Sequence, residues 1–249
     1  MISKNQIKLI RSLETKKGRV KEGLFVAEGP KVVADLMAVM TPRILFATRD
    51  WIDEHADDVP LNVVEISVEE LHKISFLQHP QRVLALFPIG KTSFKDNEVG
   101  ESDLYLALDG VQDPGNLGTI IRVADWIGIV RIFCSRDTAD VYNPKVIQAT
   151  MGSIARVDVV YTDLLDLFSS LPSGYPLYGT FLDGDDIYKR SLTPNGIIVM
   201  GNEGKGISPS VSKYINNRLL IPNFPKGRQT ADSLNVAIAT AITCSEFRR

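Results

Sequence analysis

The order of apolar and polar residues along the chain predicts a protein built from alternating strands and helices. In the N-terminal part, short apolar runs typical of strands are separated by segments whose apolar residues recur at helical spacing. These strand-like and helical segments alternate over residues 24–27, 30–40, 43–48, 63–66, 68–74 and 83–87. The pattern predicts a small α/β unit.

A second series of strands begins further along the chain. Residues 104–108, LYLAL, are apolar without interruption, which is typical of a parallel strand covered on both faces. Further strands are predicted at residues 130–134, 156–161, 177–181, 196–200 and 218–221, with helical or turn material between them. The expected fold class is therefore α/β, with a mostly parallel sheet and helices on both faces in the C-terminal part.

The two series are separated by IGKTSFKDNEVGES, a polar and charged stretch with few residues able to join a core. Such a composition is typical of a linker, which we predict over residues 89–102. The chain is therefore predicted to consist of a first domain of residues 1–88 and a second domain of residues 103–249.

Composition places the chain among soluble globular proteins. Of its 249 residues, 44% are hydrophobic and 23% are charged, which suits one large or two modest domains. No apolar run is long enough to cross a membrane, and the first residues lack the apolar core of a signal peptide, so we expect a cytoplasmic protein without a membrane partner. Cys134 and Cys244 lie far apart without metal-ligand spacing, and we expect both in the core.

Charge is distributed unevenly along the chain. The formal net charge is −2, but the first 24 residues contain seven basic and two acidic side chains, so this end carries +5 and the remainder −7. A local basic cluster is sufficient to contact nucleic-acid phosphate, although a solvated helix face would give the same pattern. Within it, Lys16, Lys17 and Arg19 are candidate RNA contacts.

Three strand ends in the second series carry residues able to do chemistry, and ligands of open α/β sheets bind at such ends. The first segment runs from residue 108 to residue 122. Asn116 is a predicted N-cap, followed by apolar residues at helical spacing. Arg122 interrupts this helix, so its charge must reach solvent, form a structural ion pair or serve the function.

The second segment, residues 197–207, is a buried strand followed by GNEGKG. The spacing fits neither a phosphate-binding P-loop nor the dinucleotide fingerprint, which argues against a nucleotide-dependent hydrolase. The glycines nevertheless permit close approach of the backbone to a ligand, and Glu203 supplies a lone carboxylate among them. The acidic run at residues 183–186 lacks the periodicity of a calcium loop and is predicted to be a solvated turn.

The third segment leads from a strand at residues 218–221 through a basic loop containing Lys226 and Arg228 into an almost uniformly apolar helix. Asp232 or Ser233 is the predicted N-cap of this helix, which we expect to be buried. Asn235, in its first turn, needs a hydrogen-bond partner.

These three segments, in this order and spacing, resemble the three signature motifs of the SpoU branch of the SPOUT methyltransferases. The resemblance covers the chain from about residue 104 to its end. The element FVAEG at residues 25–29 resembles the FxxEG element of the ribosomal-protein-like α/β substrate-binding domain that often precedes such a domain. The loop at residues 222–233 is longer than usual, Asp232 replaces the more frequent Glu, and Ala237 stands where Ser is frequent.

The resemblance implies an S-adenosylmethionine-dependent RNA ribose 2′-O-methyltransferase that has a C-terminal trefoil knot, forms a homodimer through its C-terminal domain and uses no metal. The residues that it implies for catalysis are Asn116, Arg122, Glu203, Ser233 and Asn235. Those that it implies around the methyl donor are Thr180, Phe181, Gly201, Asn202, Gly206, Ile221 and Leu234. Lys226 and Arg228 join the basic N-terminal residues as expected RNA contacts.

A guanidinium stays protonated in proteins, so Arg122 is better suited to hold a phosphate and a developing alkoxide than to act as a base. We expect Glu203 to fix Arg122 or its own loop, with the other polar side chains orienting the ribose. Ribosomal RNA is the expected substrate. Transfer RNA, and a catalytically silent RNA-binding assembly factor, remain open as alternatives.

Overall fold

The computed structural model describes residues 1–57, 60, 62–90, 99–100, 102–225 and 231–249. Lys226, Arg228 and much of the predicted linker lie outside these residues. The chain forms two compact units, one of Met1–Lys91 with Asp140–Ala155 and the other of Thr92–Ala139 with Arg156–Arg249. The helices and strands are α1 (Lys4–Ser12), α2 (Lys16–Glu22), β1 (Leu24–Glu28), α3 (Pro30–Met37), β2 (Ile44–Ala47), α4 (Arg49–Glu54), β3 (Val63–Glu65), α5 (Val68–Ile74), β4 (Val83–Pro88), β5 (Leu104–Asp109), α6 (Pro114–Ile127), β6 (Arg131–Cys134), α7 (Pro144–Thr150), β7 (Asp158–Tyr161), α8 (Leu164–Ser169), β8 (Leu177–Asp186), β9 (Gly196–Gly201), α9 (Pro209–Ser212), β10 (Asn217–Leu220) and α10 (Val236–Glu246).

The first unit is a four-stranded mixed sheet in the order β1-β4-β2-β3, covered on both faces. Alternate residues of a strand point to opposite faces, so Phe25 and Ala27 join one core with α3 and α4, whereas Leu24 and Val26 join another with α1 and α5. Because both faces are covered, β1 reads as a continuous apolar run that ends in a buried glutamate. The predicted α/β unit is confirmed.

Residues 140–155 belong to this first unit, although the predicted domain ranges placed them in the second. Ile147 of α7 is buried in the same core as Phe25, and the ring of Tyr142 lies 4.9 Å from that of Phe25. The sequence predicts helical or turn material between β6 and β7, but it does not reveal which of the two cores this material joins.

Arg19 has a structural role in this unit, which argues against the expected RNA contact. Its side chain is only 3% exposed, and Nη2 lies 2.6 Å from Oδ2 of Asp140. Nη1 donates to the carbonyl oxygens of Leu13 and Glu14, at 2.8 Å each. A guanidinium that is buried and engaged in this way cannot offer its donors to a phosphate, so Arg19 is not an RNA contact of the expected kind. Lys16 and Lys17 on the same helix are exposed.

The second unit contains a six-stranded sheet in the order β10-β8-β9-β5-β6-β7, and all of its strand pairs are parallel. The predicted parallel sheet is confirmed. Residues 183–186 were predicted to be a solvated turn, but they are the end of strand β8. The side chains of Asp183 and Asp185 are exposed and pair with Arg218 and Arg190 at the surface. Cys134 and Cys244 are buried and free, as expected.

No helix of the part that the structure describes is long and apolar enough to cross a membrane. The same residues contain no group of three or more His, Cys, Asp or Glu side chains that could hold a metal ion.

We predict that Asp140→Ala destabilises the protein by about 2 kcal/mol, because it leaves the buried guanidinium of Arg19 without its counter-charge; the value is below the roughly 3–5 kcal/mol of a fully buried pair since Asp140 is partly exposed. Urea unfolding of the full chain measures this. Lys31→Met, which removes the exposed pair with Asp35, is the control and should cost less than about 0.5 kcal/mol. Equal midpoints for the two variants would contradict a stabilising role of the Arg19–Asp140 pair.

Candidate active site

A cavity of about 490 Å³ lies in the second unit beside residues 180–182 of β8 and at the carboxyl ends of β9 and β10. Because these strands are parallel, the segments that follow them meet at one edge of the sheet. The seven residues expected around the methyl donor all line the cavity: Thr180, Phe181, Gly201, Asn202, Gly206, Ile221 and Leu234. Glu203 and Ser233, expected to be catalytic, line it too.

The loop after β9 is folded back on itself beside this cavity. The backbones of Asn202 and Gly206 exchange two hydrogen bonds of 3.0 and 2.9 Å. The Asn202 side chain donates to the Gly110 carbonyl oxygen at 2.7 Å, and its Oδ1 accepts from the amides of Gly204 and Lys205. A Cβ on Gly201 would lie 2.2 Å from the backbone of Gly206, so this fold of the loop requires glycine at position 201.

Glu203 joins this loop to the start of α6. Its Oε1 accepts from Nδ2 of Asn116 at 3.0 Å and from the amide of Asp113 at 3.2 Å, and its Oε2 accepts from the amide of Gln112 at 3.3 Å. The carboxylate therefore fixes the segment before α6 to the loop after β9. It forms no ion pair with Arg122 within the part of the chain that the structure describes.

Asn235 extends this cluster to the start of α10. Its Nδ2 donates to Oδ1 of Asn116 at 2.9 Å, while its own Oδ1 accepts from the amides of Ala237 and Ile238. An ionised carboxylate can only accept hydrogen bonds, so the amide nitrogen of Asn116 must face Glu203 and its oxygen must face Asn235. In the cluster Asn235–Asn116–Glu203, the side-chain hydrogen bonds are therefore donated in one direction, from Asn235 to Asn116 and from Asn116 to Glu203.

The same contacts correct two predicted helix starts. Helix α6 begins at Pro114 with Asp113 as its N-cap, and α10 begins at Val236 with Asn235 as its N-cap. The caps predicted at Asn116 and at Asp232 or Ser233 were wrong. Proline is favoured at the first position of a helix, which the Asp-Pro pair signalled, and the amide of Asn116 serves the cluster instead.

The environment of Glu203 favours its ionised form. Burial raises the pKa of Glu203, but the hydrogen bonds from the Asn116 side chain and from backbone amides, including those of Asp113 and Gln112, outweigh it and hold the pKa below its usual range. Glu203 therefore remains a charged acceptor at neutral pH.

Arg122 lies apart from this cluster. Its side chain is exposed on α6 and lines a groove between α6 and α10, together with Thr119, Trp126 and Ala241. Among the residues that the structure describes, its guanidinium has no hydrogen-bond or ion-pair partner, so the structural ion pair considered from the sequence is not seen. The structure thus gathers Asn116, Glu203, Ser233 and Asn235 around the cavity but leaves Arg122 on another face of α6.

Asp109 is a site residue that the sequence reasoning missed. As the last residue of β5, it accepts from the amide of Ser208 at 2.7 Å and so fixes the far end of the loop that carries Glu203. Its place at the carboxyl end of a buried strand was the available signal.

Comparison with known proteins now places the chain in a class. The profile of the SpoU rRNA Methylase family matches residues 103–245, and that of the MRM3-like substrate binding domain matches residues 4–85. The chain therefore belongs to the SpoU rRNA methylase family, and the membership predicted from its three motifs is confirmed.

Individual relatives match along almost the whole chain. The 23S rRNA (guanosine(2553)-2′-O)-methyltransferase RlmP of Bacillus subtilis (strain 168) is 29% identical and is matched over 99% of this chain and 97% of its own. A putative RNA methyltransferase of the TrmH family from Porphyromonas gingivalis superposes with a TM-score of 0.87 at 42% identity, covering 99% of this chain and 98% of the other. An AdoMet-bound rRNA methyltransferase from Sinorhizobium meliloti gives 0.87 at 30% identity, covering 100% and 95%.

We predict that Glu203→Gln loosens the start of α6. The amides of Gln112 and Asp113 should exchange with solvent about tenfold faster, because each loses a charge-assisted acceptor. Hydrogen exchange measures this, and Glu14→Gln on the exposed surface of the first unit is the control.

The same variant tests the charge of Glu203. A carboxylate whose pKa is lowered by folding stabilises the protein above its unfolded pKa of about 4.3, and this contribution is lost as the pH falls through the folded value. The stability advantage of the wild type over Glu203→Gln should therefore be constant at neutral pH and disappear in acid. An advantage that grows in acid would contradict the assignment.

Proposed function

We propose that this protein transfers a methyl group from S-adenosylmethionine to a ribose 2′-hydroxyl of ribosomal RNA. The observation that carries the proposal is that Glu203 both lines the cavity and holds Asn116 and, through it, Asn235. A pocket for a small molecule therefore adjoins a cluster of oriented amides. The substrate class is supported by the relatives matched along the whole chain, which are named as rRNA methyltransferases.

The residues present fit an adenosyl ligand. The cavity volume lies in the range of small-molecule sites, which are mostly apolar with a few placed polar groups. Phe181, Leu220 and Ile221 supply apolar wall, whereas Gly201 and Gly206 expose backbone at close range. The donor supplies an electrophilic methyl group on a sulfonium. Thr180, Asn202 and Leu234 complete the proposed donor contacts.

The oriented amides assign roles to the catalytic residues. Asn235 uses one hydrogen of its amide on Asn116 and retains the other, and Asn116 likewise has one hydrogen beyond that given to Glu203. These hydrogens, with the exposed hydroxyl of Ser233 on the cavity wall, can orient the ribose. Arg122 lies away from the cavity of its own chain, so its proposed role requires the cavity of a second copy. There the protonated guanidinium binds the phosphate of the target nucleotide and stabilises the forming alkoxide, and that phosphate or water accepts the proton.

We also propose a homodimer through the second unit. Trp126, on the groove that contains Arg122, is 91% exposed, and the same groove is lined by the apolar residues Val123, Ile127 and Ala241. Adjoining apolar residues of this kind are typical of a contact surface. A second copy seated there would explain why Arg122 is free on a face away from its own cavity. Sedimentation tests this, and a mass of 27.5 kDa in solution would contradict it.

The trefoil knot is supported by the path of the chain after β9. Strand β10 pairs with β8 and not with β9, and α10 contacts both β9 and the 3₁₀ turn Ile187–Lys189 that precedes β9.

Lys16 and Lys17, with Lys226 and Arg228, are the proposed RNA contacts. Since the proposed substrate is ribosomal RNA, the cytoplasm is the proposed location.

Methyl transfer from labelled S-adenosylmethionine to ribosomal RNA, with transfer RNA in parallel, tests the function, and ribose methylation maps of cells with and without the gene locate the nucleotide. Arg122→Ala should lower transfer at least about 100-fold and leave donor affinity within about twofold. Arg190→Ala, which removes an arginine that contacts Asp185 and Asn217 and lines neither the cavity nor the groove of Arg122, is the control. Donor binding without transfer to either RNA would favour a silent assembly factor.

A second test asks whether the methyl donor binds in this cavity, independently of RNA binding. Gly201→Ala adds a methyl group that meets the backbone of Gly206, so donor affinity should fall at least about tenfold while RNA binding persists. Gly204→Ala adds the same group to the same loop, but its nearest contact is an ordinary 3.8 Å, and affinity should change less than about threefold. Equal donor affinities in calorimetry would place the donor elsewhere.

A further inference from the structure

One wall of the cavity is formed by residues of β8 that have no pairing partner in β10. Strand β10 pairs with Tyr178 and Gly179 of β8, and its next residue pairs with Asp185, so residues 180–184 lie outside the ladder. We call residues 180–184 the β8 bulge. Thr180, Phe181 and Leu182, the first three residues of the bulge, all line the cavity. The shape of the cavity therefore depends on a segment without strand pairing to β10.

Two glycines fix where the bulge leaves and rejoins the sheet. A Cβ on Gly179 would lie 2.8 Å from the Phe181 ring and 2.9 Å from the Ile207 side chain. A Cβ on Gly184 would lie 2.5 Å from the backbone of Leu219. At Gly184 the backbone of Leu219 leaves no room for a side chain, whereas at Gly179 the close atoms belong to neighbouring side chains. The bulge is therefore packed closely at both ends, and most tightly at Gly184.

Arg218, at the break in register, holds the middle of the bulge. Its guanidinium carbon lies 3.5 Å from the centre of the Phe181 ring, and Nη2 lies 2.6 Å from Oδ1 of Asp183. Nη1 donates to Oγ of Ser212 at 3.2 Å, which anchors the group to α9. A planar guanidinium can stack on a ring and donate in its own plane at once, which an ammonium cannot do. One side chain thus fixes two bulge residues.

We infer that Arg218 is a positioning residue for the methyl donor, which keeps the β8 bulge in the shape that binds it. The inference rests on the proposed function, because that function places the donor in this cavity. An unpaired segment loses conformational freedom when a ligand orders it, and a wall that is already ordered avoids that loss. Leu182, 79% exposed at the middle of the bulge, is the apolar side chain that a bound donor would cover.

Arg218 acts on affinity and not on the transfer step. Its recorded contacts are to Phe181, Asp183 and Ser212, and none of these belongs to the Asn235–Asn116–Glu203 cluster. A loosened bulge should therefore raise the KM for the donor and leave kcat at saturating donor unchanged.

Calorimetric titration with S-adenosylmethionine and steady-state transfer to ribosomal RNA test this on the full chain. For Arg218→Met we expect a donor Kd raised about tenfold and a kcat within about twofold of wild type. Arg218→Lys keeps the charge but loses the stacking, and Asp183→Asn keeps the stacking but loses the ion pair, so each should raise Kd by about threefold. The matched control is Arg190→Met, which removes an arginine that pairs with Asp185 and Asn217 across the same two strands without touching the bulge.

The outcomes separate this inference from the proposed function. A wild-type protein that does not bind S-adenosylmethionine would overturn both. Donor binding in wild type with the same Kd in Arg218→Met and Arg190→Met would overturn only the role of Arg218, and so would a fall in kcat at unchanged KM. If circular dichroism shows that Arg218→Met is misfolded, Arg218→Lys and Asp183→Asn decide the matter: Kd values above that of Arg190→Met support the role, and equal values overturn it.

Discussion

The arrangement of the candidate site depends on the hydrogen bonds that the Glu203 carboxylate accepts. This carboxylate comes from the loop after β9, yet its acceptor oxygens are used by the segment that starts α6 and, through Asn116, by the start of α10. Because a carboxylate can only accept, it also sets the orientation of both asparagine amides. One charged group thus fixes the relative position of three chain segments and decides which amide hydrogens remain for a substrate.

The walls of the cavity beside this cluster depend on backbone segments that pass close to one another at glycines. On one wall, Gly201 lets the loop after β9 fold against Gly206. On the other, Gly179 and Gly184 let the β8 bulge leave and rejoin the sheet, with Arg218 stacked on Phe181 between them. One wall is therefore a loop and the other a bulged part of a strand, and both are held by specific contacts to the parallel sheet.

The core of the first unit also depends on residues that are distant in sequence. Residues 140–155 lie between β6 and β7 of the second unit in sequence, but they complete the core of the first through Ile147 and pair with Arg19 through Asp140. A polypeptide of residues 1–88 would lack this part of its core. The basic N-terminal cluster therefore contains two kinds of residue: Arg19 is buried and paired with Asp140, whereas Lys16 and Lys17 are exposed.

The sequence by itself determined the two α/β units, the parallel sheet and the family, because apolar periodicity and the order of three motifs are local properties of the chain. The family resemblance also named seven residues that the fold brings to one cavity. The sequence did not determine that Arg19 is buried, that α7 joins the first core, that Asp113 and Asn235 cap their helices, or that Arg218 holds the β8 bulge. Only the tertiary structure decided these points, since each depends on which distant groups meet, and a charged side chain looks the same in sequence whether its partner is solvent, a ring or a buried carboxylate.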